Sequence, residues 1–526
     1  MTKYFLVFSL FFLVAGCKKE KQELQKKAVP IKTFKNEMKG LAIDSTDLRE
    51  YKDSLMFIFY KMHGFETVWS KPQLRKSITN ILSESAVDGL NPDDYSVKKL
   101  QLWENKINSL SKKELIAYDV QFTLSVRKYM RHLWNGKLNP KNLYRDWDLK
   151  RNNIDINTMV SEGISGDSLE IVFEKSKPSH LMYKRLKEAL AIVEKFPRDN
   201  VGKINASDKI VRNDTNSAII NIKKRLVFWK DLKQPDTITE IYDRETFKAV
   251  KKFQLRHGLS PDGVIGKGTV EALNYTKEQR KQQIIANLER WRWFPRDFGD
   301  HYFIVNIPGY VLEIVKDNDT IEEKRIVVGK IERKTPILTS TFNNVVFNPT
   351  WTVPPTILKE DLTPSATKNR GYFAKKDITI YNWKGDTIRA EDWKPEKATS
   401  YRYVQSPGSH NSLGNVKFNF PNHYTVYLHD TNHRDFFGMS KRSLSSGCVR
   451  VQDPLLLAAY MLDDEKYWPI DSINKLIETK KTKIISLKQK IKIHQLYWTA
   501  WSGNGELIFR DDIYDLDAGL YKALRK

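Results

Sequence analysis

Ser445-Ser446-Gly447-Cys448-Val449-Arg450, with Tyr427-Leu428-His429-Asp430-Thr431 just upstream, sets one thiol among small residues, a histidine and an arginine. The sequence contains two cysteines, Cys17 and Cys448. Cys17 sits at the end of an apolar N-terminal run, so Cys448 has no disulfide partner. A thiol becomes a working nucleophile when positive charge or a histidine favours its thiolate. Arg450 supplies fixed charge, and His429 is a candidate base if the intervening loop folds back. An inert core thiol is the commoner fate of a lone cysteine, but it needs neither the Ser-Ser-Gly lead-in nor the arginine. Gly447 removes the side chain before the thiol, which would let backbone N–H groups face a developing oxyanion. Cys448 is therefore read as a nucleophile.

Asn348-Pro-Thr-Trp351-Thr-Val-Pro354-Pro355 and Pro407-Gly-Ser-His-Asn411-Ser-Leu-Gly414 precede these stretches. A histidine followed by Ser-x-Gly-Cys-x-Arg resembles the signature of the YkuD-type L,D-transpeptidase catalytic domain. The preceding blocks are similar to its large YcbB-like subfamily. The resemblance implies a mainly β catalytic domain over 300–490 with a substrate-capping insertion at 357–406.

The formal charge of +24 calls for acidic surroundings such as nucleic acid, anionic lipid or an anionic polymer. Nucleic acid is set aside, because the N-terminus reads as an export signal. Lys3 precedes an apolar run from Tyr4 to Ala15 that is too short to span a bilayer. Val14-Ala15-Gly16-Cys17 resembles a bacterial lipobox, which implies a signal peptide at 1–17, lipidation at Cys17 and a periplasmic protein held at a membrane. Residues 18–46, rich in Lys, Glu and Gln, read as a solvated tether. Without a cysteine pair, the fold must rely on packing.

From 47 to 200 the pattern is helical. Tyr51, Leu55, Ile58, Phe59 and Met62 recur near a helical period, and a second helix pattern covers Glu114 to Leu133. Gly64-Phe-Glu66…Trp69, Asp88-Gly-Leu90-Asn-Pro92 and Gly136-Lys-Leu-Asn-Pro140 resemble the scaffold domain of YcbB-like enzymes. Residues 213–275 read as a small three-helix unit, with Ile219, Ile222, Leu226 and Trp229 on one stripe and Asp243 capping a second helix. Its Phe253-Gln254…Gly258-Leu259…Asp262-Gly263…Gly266…Thr269…Leu273 resembles a peptidoglycan-binding domain, while a plain helical spacer is the alternative. Glu278 to Trp293 reads as a connecting helix. From His301 the period turns to strands: His301–Ile307, Val311–Lys316, Arg325–Val328 and Asn344–Phe347. Residues 491–526 read as a tail packing on the catalytic domain. The expected class is multidomain α+β.

The resemblance implies two-step acyl transfer: a Cys448 thioester forms on the third residue of a tetrapeptide stem with release of D-alanine, and another stem's amine then resolves it. Peptidoglycan stem peptides and glycan strands would be the partners, with carbapenem-type β-lactams as covalent inhibitors. His429 is the expected acid/base. Gly447, Ser446 and Tyr427 are candidates for the oxyanion region, Arg450 for a substrate carboxylate or the site loop, and Trp351 for a substrate wall. No cofactor or metal is expected: His429-Asp-Thr-Asn-His433 has the histidine spacing of a zinc helix but lacks its glutamate and is poor helix material. A hydrolase with the same motif, a sortase, and a wall-binding lipoprotein with a dead site are the competing readings.

Overall fold

The computed structural model describes residues 38–49, 53–463 and 466–526. The expected signal peptide, Cys17 and most of the expected tether lie outside the described residues. No helix among the described residues is long and apolar enough to cross a membrane. The architecture is multidomain α+β.

Met38 to Phe173 share one core, built on the helix Lys112–Asn135. Its start is fixed by a capping box, Ser111 with Glu114. It ends at Gly136, whose φ of +74° suits glycine. A Cβ there would come within 2.4 Å of Trp293 Nε1 on the connecting helix, so the glycine also permits a close approach. The helix Ser54–Met62 buries Met56, Phe59 and Tyr60, whereas Leu55, Ile58 and Met62 are exposed. The expected stripe there is displaced, because a helix that is apolar nearly all round has no single face marked by period.

The small helical unit follows the sequence closely. Ile219, Ile222, Leu226 and Trp229 are buried, and Asp243 accepts the Thr246 N–H at 2.8 Å to cap Arg244–Arg256.

The connecting helix Lys277–Trp293 is buried along most of its length despite a polar sequence. Arg290 pairs with Asp517 at 2.9 Å, and Arg292 with Glu289 at 2.9 Å. Asn287 donates to Thr499 Oγ1 at 2.8 Å and accepts the Thr499 N–H at 2.9 Å. Arg292 also donates to the Asp88 carbonyl of the scaffold. Charge that is expensive to bury is thus satisfied by partners from scaffold and tail. The tail helix Asp517–Leu524 lies along this helix, and Ser502 reaches Glu188 of the scaffold at 2.8 Å.

The catalytic half is one long mixed sheet. His301–Asn306, Val311–Lys316 and Asp319–Gly329 form an antiparallel meander. The turn Asp317-Asn318 has positive φ at both residues, as a tight hairpin requires. Asp319–Gly329 pairs with Val449–Val451, which runs parallel to Leu428–His429, itself antiparallel to Val416–Asn419. On the far side of the meander come Lys492–Leu496 and Ile337–Thr341. The scaffold residues Trp147-Asp148 then extend the sheet in parallel with Ile337-Leu338.

The insertion folds on its own four-stranded sheet, Trp351–Thr352, Arg402–Gln405, Ile378–Tyr381 and Thr387–Ile388. It has a separate core around Phe373, Trp393 and Tyr403. That core takes in Val353, so the cap starts slightly before residue 357.

Candidate active site

Neighbouring strands carry Lys417, His429 and Arg450 in register: Lys417 lies opposite His429, and His429 opposite Arg450. Residues paired across a sheet share a face, so three basic side chains form a row beneath Cys448. Asp430, next along, turns to the other side, where it accepts the Asn415 N–H at 2.8 Å and pairs with Arg434 at 3.1 Å. His433 lies on a loop and stacks on Phe436 with ring centroids 5.1 Å apart.

The thiol loop is held tightly. Gly447 has φ +109°, a backbone state that side chains disfavour. Ser445 Oγ donates to the Cys448 carbonyl at 2.6 Å and accepts the Gly447 N–H at 3.2 Å. The Gly447 N–H is therefore engaged within the loop, leaving the Cys448 N–H and the Tyr427 hydroxyl as the loop's oxyanion candidates. Thr335 Oγ1 donates to the Gly447 carbonyl at 2.9 Å, and the Thr335 N–H donates to Tyr514 Oη at 3.0 Å. Tyr514, far along in the tail, thus braces the nucleophile through one intermediary.

Cys448, His429, Gly447, Ser446, Tyr427, Arg450 and Trp351 all line one cavity of about 630 Å³ between the sheet and the cap. Cys448 is partly buried and His429 almost fully so. Burial first, then the charges of Arg450 and Lys417, push the imidazole down to about 3. Burial likewise pushes the Cys448 thiol up, against the opposing pull of Tyr427, Lys417 and Arg450. The resting pair is thus neutral thiol and neutral imidazole. Nδ1 of His429 and Nε and Nη1 of Arg450 are buried beside this space with no hydrogen bond of normal geometry among the described residues, although the Asp430 backbone lies near enough to the imidazole to favour its charged form. Tyr427 interacts with both Cys448 and Trp351, and Lys417 Nζ lies 3.9 Å from the centroid of its ring.

Two residues at the site carry no motif. Lys417 reads in sequence as one polar position of an alternating strand; its register opposite His429 is visible only in the fold. Arg333 donates to Ser446 Oγ at 2.9 Å and pairs with Glu360 at 2.6 Å and Asp361 at 2.5 Å, tying the thiol loop to the cap. Nothing in the linear sequence signals that link.

The electrostatics make a direct prediction. Iodoacetamide alkylation of Cys448, followed by peptide mass spectrometry, is expected to be slow at pH 7. It should rise about tenfold per pH unit up to and beyond the usual thiol range of about 8.5. Lys417→Met removes a charge that favours thiolate and should move the rise further alkaline. A rate already at its plateau at pH 7 would mean a preformed thiolate and contradict this reading.

Residues 300–484 match the family described as "L,D-transpeptidase catalytic domain". Residues 54–190 match the family described as "Scaffold domain", and 215–273 the one described as "Putative peptidoglycan binding domain". The chain is 36% identical over 239 residues to a Haemophilus influenzae protein named "Putative L,D-transpeptidase", covering 45% of this chain and 48% of that protein. It thus spans about half the length of that relative. An L,D-transpeptidase structure from Xylanimonas cellulosilytica aligns at 14% identity, covering 55% of this chain and 98% of that one, with a TM-score of 0.18. One from Stackebrandtia nassauensis aligns at 15%, covering 57% and 97%, with a TM-score of 0.20. Such scores carry no argument of their own. Within the transpeptidase domain, the His429 to Arg450 signature falls inside the matched residues.

Proposed function

We propose that the protein is a lipid-anchored periplasmic enzyme that makes 3–3 peptidoglycan cross-links, and that Cys448 is its acylated residue. The observation that carries this is one cavity lined together by Cys448, His429 and Arg450 beneath the cap.

His429, neutral at rest, takes the thiol proton as Sγ attacks the carbonyl of the donor's third residue. The tetrahedral oxyanion gains from the positive row of Lys417 and Arg450 and from the Tyr427 hydroxyl. Collapse breaks the bond to D-alanine, whose amine leaves with the proton from His429. In the second step an acceptor amine attacks the thioester, His429 takes its proton, and the C–S bond breaks to restore Cys448. Arg450 is the contact for a donor carboxylate and Trp351 a wall. A strained lactam carbonyl meets the same thiol, which makes carbapenem-type β-lactams expected covalent inhibitors. The 213–275 unit would engage glycan strands, and Cys17 lipid would keep the enzyme at the membrane surface.

The test is incubation of the purified chain with disaccharide-tetrapeptide, beside Cys448→Ala, with products read by mass spectrometry. A dimer formed with loss of one D-alanine, absent in the variant, is the expected outcome. Tripeptide alone would assign an L,D-carboxypeptidase, and no product with either protein would leave only the wall-binding role.

A further inference from the structure

The cavity over Cys448 continues toward the scaffold. Asp146 and Lys334 line it and also line a second cavity of about 440 Å³, whose other walls include Tyr144, Arg145, Tyr514 and Leu516. One strand register puts the scaffold there. Trp147 pairs with Ile337, and the Asp146 carbonyl accepts the Ile337 N–H at 2.9 Å. From the other side, Tyr424 Oη lies 3.5 Å from the Arg145 carbonyl. Asp146 therefore stands on the saddle between the two spaces, close enough to act electrostatically on both Tyr424 and Tyr514. Its carboxylate is exposed and has no hydrogen-bond or ion-pair partner among the described residues. Among the described residues, Asp146 is the carboxylate that lines both cavities, Glu332 lying on the first alone and Asp515 on the second alone.

We propose that this second cavity receives the acceptor strand, with Asp146 binding the ammonium of the acceptor's side-chain amine before it reaches the thioester. Arg145 and Lys334 at the same site suit the carboxylates of that peptide. The scaffold domain thereby supplies part of the substrate site. The amine, attracted as its cation, loses one proton to solvent on leaving Asp146. It passes the next to His429 as the C–N bond forms and the C–S bond breaks. This rests on the transpeptidation reading above and adds where the second substrate comes from.

The test uses the full chain with disaccharide-tetrapeptide as donor and added disaccharide-tripeptide as acceptor. Asp146→Asn is expected to leave D-alanine release and acylation by a carbapenem within about twofold. The ratio of dimer to hydrolysed tripeptide should fall about tenfold, the loss of one favourable contact of ordinary size. Raising the acceptor concentration should restore the ratio, because the defect is in acceptor KM, and Asp146→Glu should restore much of it. An N-acetylated acceptor, which cannot react or pair, should compete equally poorly with both proteins. If wild type dimerises and Asp146→Asn matches it, the acceptor site is wrong and the function stands. If wild type yields tripeptide alone, transpeptidation falls and the site with it. A fall in D-alanine release equal to the fall in dimer would place Asp146 in donor binding or folding, and would overturn the proposal.

Discussion

His429→Ala is expected to lower Cys448 acylation by disaccharide-tetrapeptide about 10²- to 10⁴-fold, the range for removing a positioned general base. The loss should be large because the resting thiol is protonated: burial holds Cys448 above the ordinary thiol range, so a proton must be removed during attack. Arg450 and Lys417 lower the cost of the thiolate but accept no proton. The pH dependence separates the two roles. With the His429 pKa pushed down to about 3, the wild-type rate should show no acid limb between pH 5 and 7 and should stay nearly flat until direct thiolate attack takes over at alkaline pH. In His429→Ala the rate should follow thiolate alone, with the full tenfold gain per pH unit. Rapid-quench acylation kinetics of both proteins across pH 5 to 9 would check this. A variant within threefold of wild type at pH 7 would remove His429 from the mechanism.

Arg292→Met is expected to cost about 3–5 kcal/mol, as for a buried pair deprived of one partner. Glu289 and Arg292 are both fully enclosed. The substitution leaves Glu289 a buried charge with only backbone donors such as the Leu138 N–H, at 2.8 Å. It also removes the donors that Arg292 gives to Tyr183 and to the Asp88 carbonyl. The exposed pair Lys71–Asp167, 2.7 Å apart, is the comparison: Lys71→Met should change stability by about 0–1 kcal/mol. Urea unfolding followed by tryptophan fluorescence would compare them. Adding Glu289→Gln to Arg292→Met should recover part of the loss, since the stranded charge is the main cost. Equal effects from Arg292→Met and Lys71→Met would contradict the importance of burial here.

The contrast marks what a sequence can carry. Strands such as Val311–Lys316, the Asp243 cap and the thiol loop were readable because each depends on neighbours in the chain: alternation, a cap three residues from its donor, a signature within six residues. Fixed signatures also brought His429 and Arg450 together correctly. The Asp319–Gly329 strand began earlier than expected, because its first residues are exposed and no apolar alternation marks them. The connecting helix is legible as a helix but not as a buried one, because the partners that make its charges burial-compatible, Asp517 and Thr499 among them, come more than two hundred residues later. Trp147-Asp148 is too short for any period to show, and Arg333 meets Ser446 and the cap acids only through the fold.

That two-residue strand also bears on how the chain is made. The scaffold cannot complete its edge until the stretch around Ile337 has been synthesised. Lys137 finds the Leu524 carbonyl, at 2.8 Å, only 387 residues further on. Contacts so distant along the chain slow folding, and larger chains pass through partly formed states with apolar surface uncovered. The scaffold's own core can close early, but its edge strand and the Lys137 contact wait for Ile337 and Leu524. Removing the helix Asp517–Leu524, far from the thiol, would strip Arg290 of Asp517 and Lys137 of the Leu524 carbonyl.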